Sequence, residues 1–429
     1  MSIASNSLIL HMRPIRVPAN ALRYTHTFGL GGISLVLFLI LVSTGVLMIF
    51  VYEPSPERAY QSIVFMQQEI LFGRLIRGMH YWSANLLIAA AMLHMLRVFL
   101  TGAFHGPRQS NWIIGLCLLF LILLSGFTGY LLPWDQISYW AITICTEMLG
   151  YVPGIGQTLQ RVILGGTEIS SATLINFHAL HTIVVPLSLA ILMTWHFWRV
   201  RLAGGVVIPH NPGDDPKAAM DYVPFAPNLL QREIAVTLIL IAFVLVIAIV
   251  FGAPLGELAN PGVSPNPAKA PWYFLGFQEL LQHFHPLFAV FIIPLTVAVA
   301  IFRVAYLRYD ADLSGNWFLT PKGRRMAAVA AAAALLLTPS WILVNEFAVG
   351  PDGWLPGAGP IVSNGLLPFS VLAAGVVAFY LLLKKYFSAS KNEVVQAMFV
   401  LFVVGFAVLT ATGVWFRGAG MALVWPWQM

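Results

Sequence analysis

Nine apolar runs fall near 28–50, 79–101, 111–132, 174–200, 230–251, 286–306, 326–347, 366–386 and 393–415 of the 429-residue chain. Each is close to the roughly 20 residues a helix needs to cross hydrocarbon. Backbone groups cannot stay unpaired in lipid, so runs of this length imply helices. Charged residues are only 9% of the chain, against roughly 25% in an average soluble protein. The expected fold is therefore all-α and integral to a membrane. Four spans lie in residues 1–203, and about four to five further transmembrane helices lie in 204–429. The linker AGGVVIPHNPGDDPKAAMDYVPFAPN between them is rich in Pro, Gly and Asp and reads as a loop. Two long connections stand out. The stretch 134–172, broken by PGIG and GG, reads as short helices on the membrane surface. The loop 252–285, rich in Pro and Gly, ends in aromatic residues, and an ordered loop of that length is usually functional.

Charge placement sets the orientation. With a cytoplasmic N-terminus, seventeen of the 23 Lys and Arg residues face the cytoplasm, and only Arg58, Arg74, Arg77, Arg161, Lys269 and Arg417 lie opposite. This is a positive-inside distribution, so the net charge of +6 needs no nucleic acid partner. The expected location is the cytoplasmic (inner) membrane. The residues through Arg23 are polar and basic ahead of any apolar run, so no cleavable leader is expected. Cys117 and Cys145 read as packing residues, and no Cys-x-x-Cys-His motif for covalent haem occurs.

Four of the eleven histidines form a pattern. His80 and His94 are fourteen apart in the second span, and His181 and His196 are fifteen apart in the fourth. Fourteen helical residues rise about 21 Å and leave the pair about 40° from alignment; fifteen leave it about 60° off, which a kink at Pro186 could correct. Both spans run from outside to inside. His80 and His181 then share an outer depth, and His94 and His196 an inner one. Each level offers two axial imidazoles to a haem iron, making residues 1–203 a four-helix haem-binding bundle. Ionisable groups inside a membrane are functional candidates by default, although satisfied polar residues in a bundle are the bland reading.

Gly31 and Gly45, and Gly115 and Gly129, repeat the fourteen-residue spacing in the first and third spans. Lacking side chains, they could clear space for a flat macrocycle or serve helix packing. Arg77 and Arg97 stand three residues from His80 and His94, toward the membrane edges. They suit either haem propionates or snorkelling to lipid headgroups. His178 is placed near the external mouth, and His11, His26, His105 and His210 read as interfacial or loop residues.

The segments RLIRGMHYWSANLLIAAAMLHMLRVFLTG, GYLLPWDQISYW and FHALHTIVVPLSLAILMTWHFW resemble the core of the cytochrome b family, over at least residues 20–310. The fifteen-residue His spacing and PWDQ are similar to the chloroplast-type branch, while the fusion of both halves is similar to the mitochondrial type. The span 393–415 fits neither. The resemblance implies two non-covalent b-type haems and quinol and quinone as substrates. It implies quinol oxidation at an outer site, with one electron going to a Rieske iron–sulfur protein and the other crossing the haems to an inner quinone-reducing site. It further implies a c-type cytochrome partner, a homodimeric complex and lipid surroundings. The outer site would draw on 134–150 and on Ala270, Pro271, Trp272 and Tyr273. The inner site would lie near His196, Arg201, Arg232 and Glu233. An adjacent cation and carboxylate can deliver protons or be a solvated interfacial pair.

Two departures from the family pattern matter. The family loop motif is Pro-Glu-Trp-Tyr, whose Glu accepts a quinol proton, and Pro271 stands in its place. A carboxylate of raised pKa in an apolar pocket could substitute, so Glu279, Asp135, His283 and His285 are candidates, with a plain helix-start role the alternative for Glu279. Gly29 stands where the chloroplast-type branch carries the cysteine of a covalent haem, so none is expected. Two other classes remain open: a two-haem membrane anchor with one quinone site, and a transporter with intramembrane histidines.

Overall fold

The computed structural model describes residues 15–209, 221–310, 314–349 and 353–428. His11, His210, Arg13 and Lys217 lie outside these residues. Nine helices among the described residues are long and apolar enough to cross a membrane, and they coincide with the nine apolar runs. With the shorter helices between them, the order is α1 (Leu30–Ile49), α2 (Ala59–Gln68), α3 (Gly73–Leu100), α4 (Gln109–Tyr130), α5 (Gln136–Leu149), α6 (Gly156–Leu164), α7 (Ser171–Leu202), α8 (Phe225–Phe251), α9 (Trp272–His283), α10 (Leu287–Val304), α11 (Pro321–Phe347), α12 (Val362–Phe387) and α13 (Lys391–Trp415). The one ladder among the described residues pairs β1 (Arg16–Pro18) antiparallel with β2 (Tyr222–Pro224).

The chain forms two compact units: Met1–Asp135 with Ser170–Leu258 and Asp312–Asn316, and Gln136–Ile169 with Ala259–Ala311 and Trp317–Met429. Packing thus divides the chain differently from the boundary at 203/204. In the first unit α8 belongs with the earlier spans, because Val244 is buried with Leu37 of α1 and Leu87 and Ala90 of α3. Its outward residues are large aliphatics such as Ile239 (69% exposed) and Ile249 (66% exposed), which hydrocarbon tolerates as well as a protein core.

In the second unit the small residues Ala330 and Ala397 let α11 and α13 approach closely, with Met326, Leu383 and Val394 filling the same cluster. The starts of these helices are tied together. Ser390 and Glu393 form a reciprocal cap on α13, and the Thr320 hydroxyl, which caps α11, donates to Glu393 Oε1 at 2.7 Å. The span 393–415 packs against α9 along its length: the Phe277 and Phe406 rings lie 4.9 Å apart, and a methyl at Gly276 would fall 2.7 Å from the Phe406 ring.

Three spans contain a widened π turn, at Leu180–Val184, Leu287–Ile292 and Val362–Leu366, each followed by a proline at the second position of the next helical segment: Pro186, Pro294 and Pro368. Proline has no N–H to donate and its ring crowds the carbonyl one turn earlier. One extra residue in that turn relieves the crowding without leaving the helix.

Candidate functional site

The four histidines meet in pairs. The His80 and His181 rings have centroids 6.2 Å apart, and those of His94 and His196 are 6.4 Å apart. A metal bound to imidazole nitrogens at about 2.0 Å on each side separates two ring centres by roughly 6 Å, so each tier has the spacing of a bis-imidazole axial pair. Among the described residues no three His, Cys, Asp or Glu side chains converge as a metal cluster. Two imidazoles per tier suit the two faces of an iron porphyrin and not a tetrahedral zinc site. The fifteen-residue spacing is accommodated with a π turn, Leu180–Val184, that contains His181 and absorbs one extra residue just ahead of Pro186.

The helices behind the histidines explain the glycine spacing. A methyl at Gly31 would sit 3.5 Å from His94 Cε1, at Gly45 3.3 Å from His80 Cε1, and at Gly115 3.5 Å from His196 Cε1. At Gly129 it would fall 2.8 Å from His181 Nδ1. Each glycine therefore backs one imidazole.

Three residues missed in the sequence orient the outer pair. The Thr44 hydroxyl donates to the Ile40 carbonyl at 2.7 Å and its oxygen accepts from His80 Nδ1 at 2.9 Å. His181 Nδ1 donates to the Ser125 carbonyl at 3.0 Å, with Thr128 Oγ1 3.4 Å away. With Nδ1 protonated, each Nε2 keeps its lone pair for a metal. The available signal was the repeated Thr-Gly step, Thr44–Gly45 and Thr128–Gly129. In the inner pair, His196 Nδ1 is buried and the ring faces the Asn111 backbone.

The flanking arginines are buried and hold backbone. Arg77 donates to the Ala253 carbonyl at 2.8 Å and the Pro254 carbonyl at 2.7 Å, beside Trp82, which donates to Gly252 O at 2.6 Å. Asp135 Oδ2 accepts from Gly256 N at 2.9 Å in the same region. Arg97 donates to the His26 carbonyl at 3.0 Å, and His26 Nε2 also bonds the Val207 carbonyl. His26 is accordingly buried, not interfacial, and burial holds its imidazole below the ordinary value. His178 stacks on Tyr52 with ring centroids 5.4 Å apart. Nearer the inner end, Arg232 bonds the Leu22 carbonyl, and Arg201 Nη1 would lie 3.7 Å from a methyl at Gly205. Glu233 follows Arg232 on α8.

The second unit holds a cavity of about 380 Å³ between α5 and α9, within the size range of small-molecule sites. Ile144, Glu147, Met148 and Tyr151 line one wall and Gln278, Leu281 and Gln282 the other, with Ala268, Pro286 and Met421 completing it. Gln278 pins the preceding loop, accepting from Ala270 N at 2.8 Å and donating to Ala268 O at 2.6 Å. Pro271 caps α9, Trp272 is 37% exposed and Tyr273 is buried.

Glu279 is not in an apolar pocket. Its carboxylate receives Arg417 Nη2 at 2.6 Å and Arg417 Nε at 3.0 Å, with His283 Nε2 3.0 Å away, and Arg417 Nη1 reaches Glu346 at 2.9 Å. Burial acts to raise the Glu279 carboxyl, but the hydrogen bonds and charges of His283 and Arg417 outweigh it and hold the group below the usual carboxylate range. Neither the raised value nor the apolar surroundings expected of it are present. Arg417 and Glu147 carried no distinguishing spacing in the sequence. His285 packs edge-on against Tyr151, their centroids 5.8 Å apart.

The Cytochrome b/b6/petB family model matches residues 17–204. The chain is 42% identical to the cytochrome b6 of Heliomicrobium gestii over 177 residues, covering 41% of this chain and 83% of that protein. It is 42% identical to the cytochrome b6 of Prochlorococcus marinus (strain AS9601) over 175 residues, covering 41% of this chain and 80% of that protein. A solved structure described as hyperthermophilic respiratory Complex III shares the fold, with a TM-score of 0.66 and 23% identity over 96% of this chain and 97% of that one. With a helical membrane architecture, tiered histidines and this degree of identity over most of each relative, the chain belongs to the cytochrome b/b6 family of haem-binding electron-transport membrane proteins.

Proposed function

We propose that this chain is the cytochrome b subunit of a proton-translocating quinol oxidoreductase, with two b-type haems, an outer quinol-oxidising site and an inner quinone-reducing site. The observation that carries the reading is the pairing of His80 with His181 and of His94 with His196, 6.2 and 6.4 Å between ring centres. Bound haems would supply a one-electron path between the two depths, about 21 Å apart by helical rise.

The remaining work belongs to the chain itself. Thr44 and the Ser125 carbonyl hold the outer imidazoles in the metal-binding tautomer. The cavity between α5 and α9 is assigned as the outer quinol pocket, since Ile144, Glu147 and Met148 belong to the 134–150 segment the family resemblance names and Gln278, Leu281 and Gln282 to the helix that begins at Trp272. Trp272 and Tyr273 open the helix that forms one wall. Near the inner tier, Arg201, Arg232 and Glu233 would bind and protonate quinone. Arg77 and Arg97 fix the helix ends by holding backbone carbonyls, with propionate pairing a further role for their remaining N–H groups. The electron that does not cross the membrane would go to a Rieske iron–sulfur protein and then to a c-type cytochrome, in a homodimeric complex of the cytoplasmic membrane with the N-terminus inside.

Pyridine haemochrome analysis of the purified chain tests the reading. Two porphyrins per polypeptide are expected, with no haem stain surviving denaturing electrophoresis. A ratio near one or zero would remove it.

A further inference from the structure

One carboxylate, that of Glu147, lines the α5–α9 cavity. We propose that Glu147 is the base that takes a proton from quinol bound in this cavity; the proposal rests on the cavity being the outer quinol pocket.

Oxidation of a quinol releases two phenolic protons, and a base within reach must receive them. Pro271 has no group to do so. Glu279 is fully buried and both its oxygens are engaged by Arg417, so a proton placed there would break a buried ion pair. His283 turns Nε2 toward that same carboxylate. Asp135 is not among the residues lining the cavity, and its Oδ2 accepts from Gly256 N.

Glu147 lines the cavity together with Ile144, three residues earlier on the same side of α5, and with Met148 and Tyr151. No described residue bonds its carboxylate. Its side chain is exposed on this chain. Across the cavity α9 presents Leu281 and the neutral amides Gln278 and Gln282. Tyr151 also lines the cavity, with His285 packed against it, and Cys145 precedes Glu147 by two residues on α5. In the step, a quinol O–H bond breaks with its electron pair left on the quinol oxygen, and a new O–H bond forms on Glu147. The electrons of the oxidation leave singly to the iron–sulfur and haem acceptors named above. Glu147 then releases the proton to external water.

The test uses the intact complex with duroquinol as donor and a soluble c-type cytochrome as acceptor. Glu147→Gln should lower kcat at least about tenfold, the lower edge of what a positioned base contributes, with KM within twofold and the haem spectrum intact. Glu147→His should move the acid limb of the kcat profile upward by about two pH units, the difference between ordinary Glu and His values. An unmoved limb overturns the proposal, and it decides the matter even where Glu147→Gln loses haem. A raised KM at unchanged kcat in Glu147→Gln also overturns it. Met148→Trp, which fills the cavity, separates the two levels. If it abolishes duroquinol turnover while Glu147→Gln leaves kcat within twofold, the pocket stands and the proton role falls. If Met148→Trp leaves kcat and KM at wild-type values, the pocket reading itself falls.

Discussion

Arg417 places its guanidinium 2.6 Å from the Glu279 carboxylate, with side-chain exposures of 1% and 0%. The pair joins the segment after α13 to the middle of α9, one wall of the cavity, and so gives the span 393–415 a physical purpose: it braces the helix that Pro271 caps and Trp272 opens. Removing one partner of a buried pair strands the other charge and costs about 3–5 kcal/mol. Arg417→Met should therefore lower the thermal midpoint of the complex by several degrees and reduce quinol turnover while both haems remain by optical spectrum. A midpoint within one degree of wild type would show that α9 does not depend on this pair.

The same pair sets an acid limit. The Glu279 carboxyl lies below its ordinary value in the folded chain, so its contribution is complete above the unfolded value of about 4.3 and is lost as pH falls through the lower folded one. The thermal midpoint should be insensitive to this group from pH 8 to 5 and drop below about pH 4. In Glu279→Gln the midpoint should start lower and lose that part of the acid dependence. Parallel midpoint curves for the two proteins between pH 5 and 3 would contradict the linkage.

The membrane architecture was legible because hydrocarbon leaves the backbone so few choices: length and apolarity alone located all nine spans. The histidine tiers were legible because helical rise converts sequence spacing into depth. Register within a helix was less so. A fifteen-residue separation implied misaligned rings, and the π turn at Leu180–Val184 is a local answer to Pro186 that a uniform helix does not contain. The partners of Glu279 were not legible at all. Arg417 lies 138 residues away, and only tertiary packing of α13 on α9 brings it near. Without that neighbour, an isolated Glu in an apolar helix reads as a group of raised pKa, the reverse of its state.

The four glycines differ in how tightly they back their rings, and that difference is measurable. A methyl at Gly129 would fall within 2.8 Å of His181 Nδ1 and 3.0 Å of Nε2, whereas at Gly31 the nearest His94 atom is 3.5 Å away, ordinary contact. Gly129→Ala should displace the outer imidazole and lose most of the outer haem. Gly31→Ala should keep both haems at wild-type ratio. Equal haem content in the two variants would mean that α4 shifts freely and the close approach carries no constraint.

Thr44 offers the finest test, because it acts on the outer tier through one hydrogen bond. Its oxygen accepts from His80 Nδ1 at 2.9 Å, which makes the imidazole a stronger donor to iron and favours the oxidised state. Thr44→Val removes the acceptor at nearly constant volume. Loss of a partner of this kind typically changes metal affinity by about tenfold or more. A tenfold change confined to the oxidised form raises the potential by about 59 mV for one electron. The outer haem should therefore titrate higher by tens of millivolts, while the inner haem, held by His94 and His196, stays where it was. His94→Ala supplies the complementary control: it should delete the inner band and leave the outer one available for the same titration. A shift in the inner haem, or none in either, would show that His80 is not held by this bond when the metal is bound.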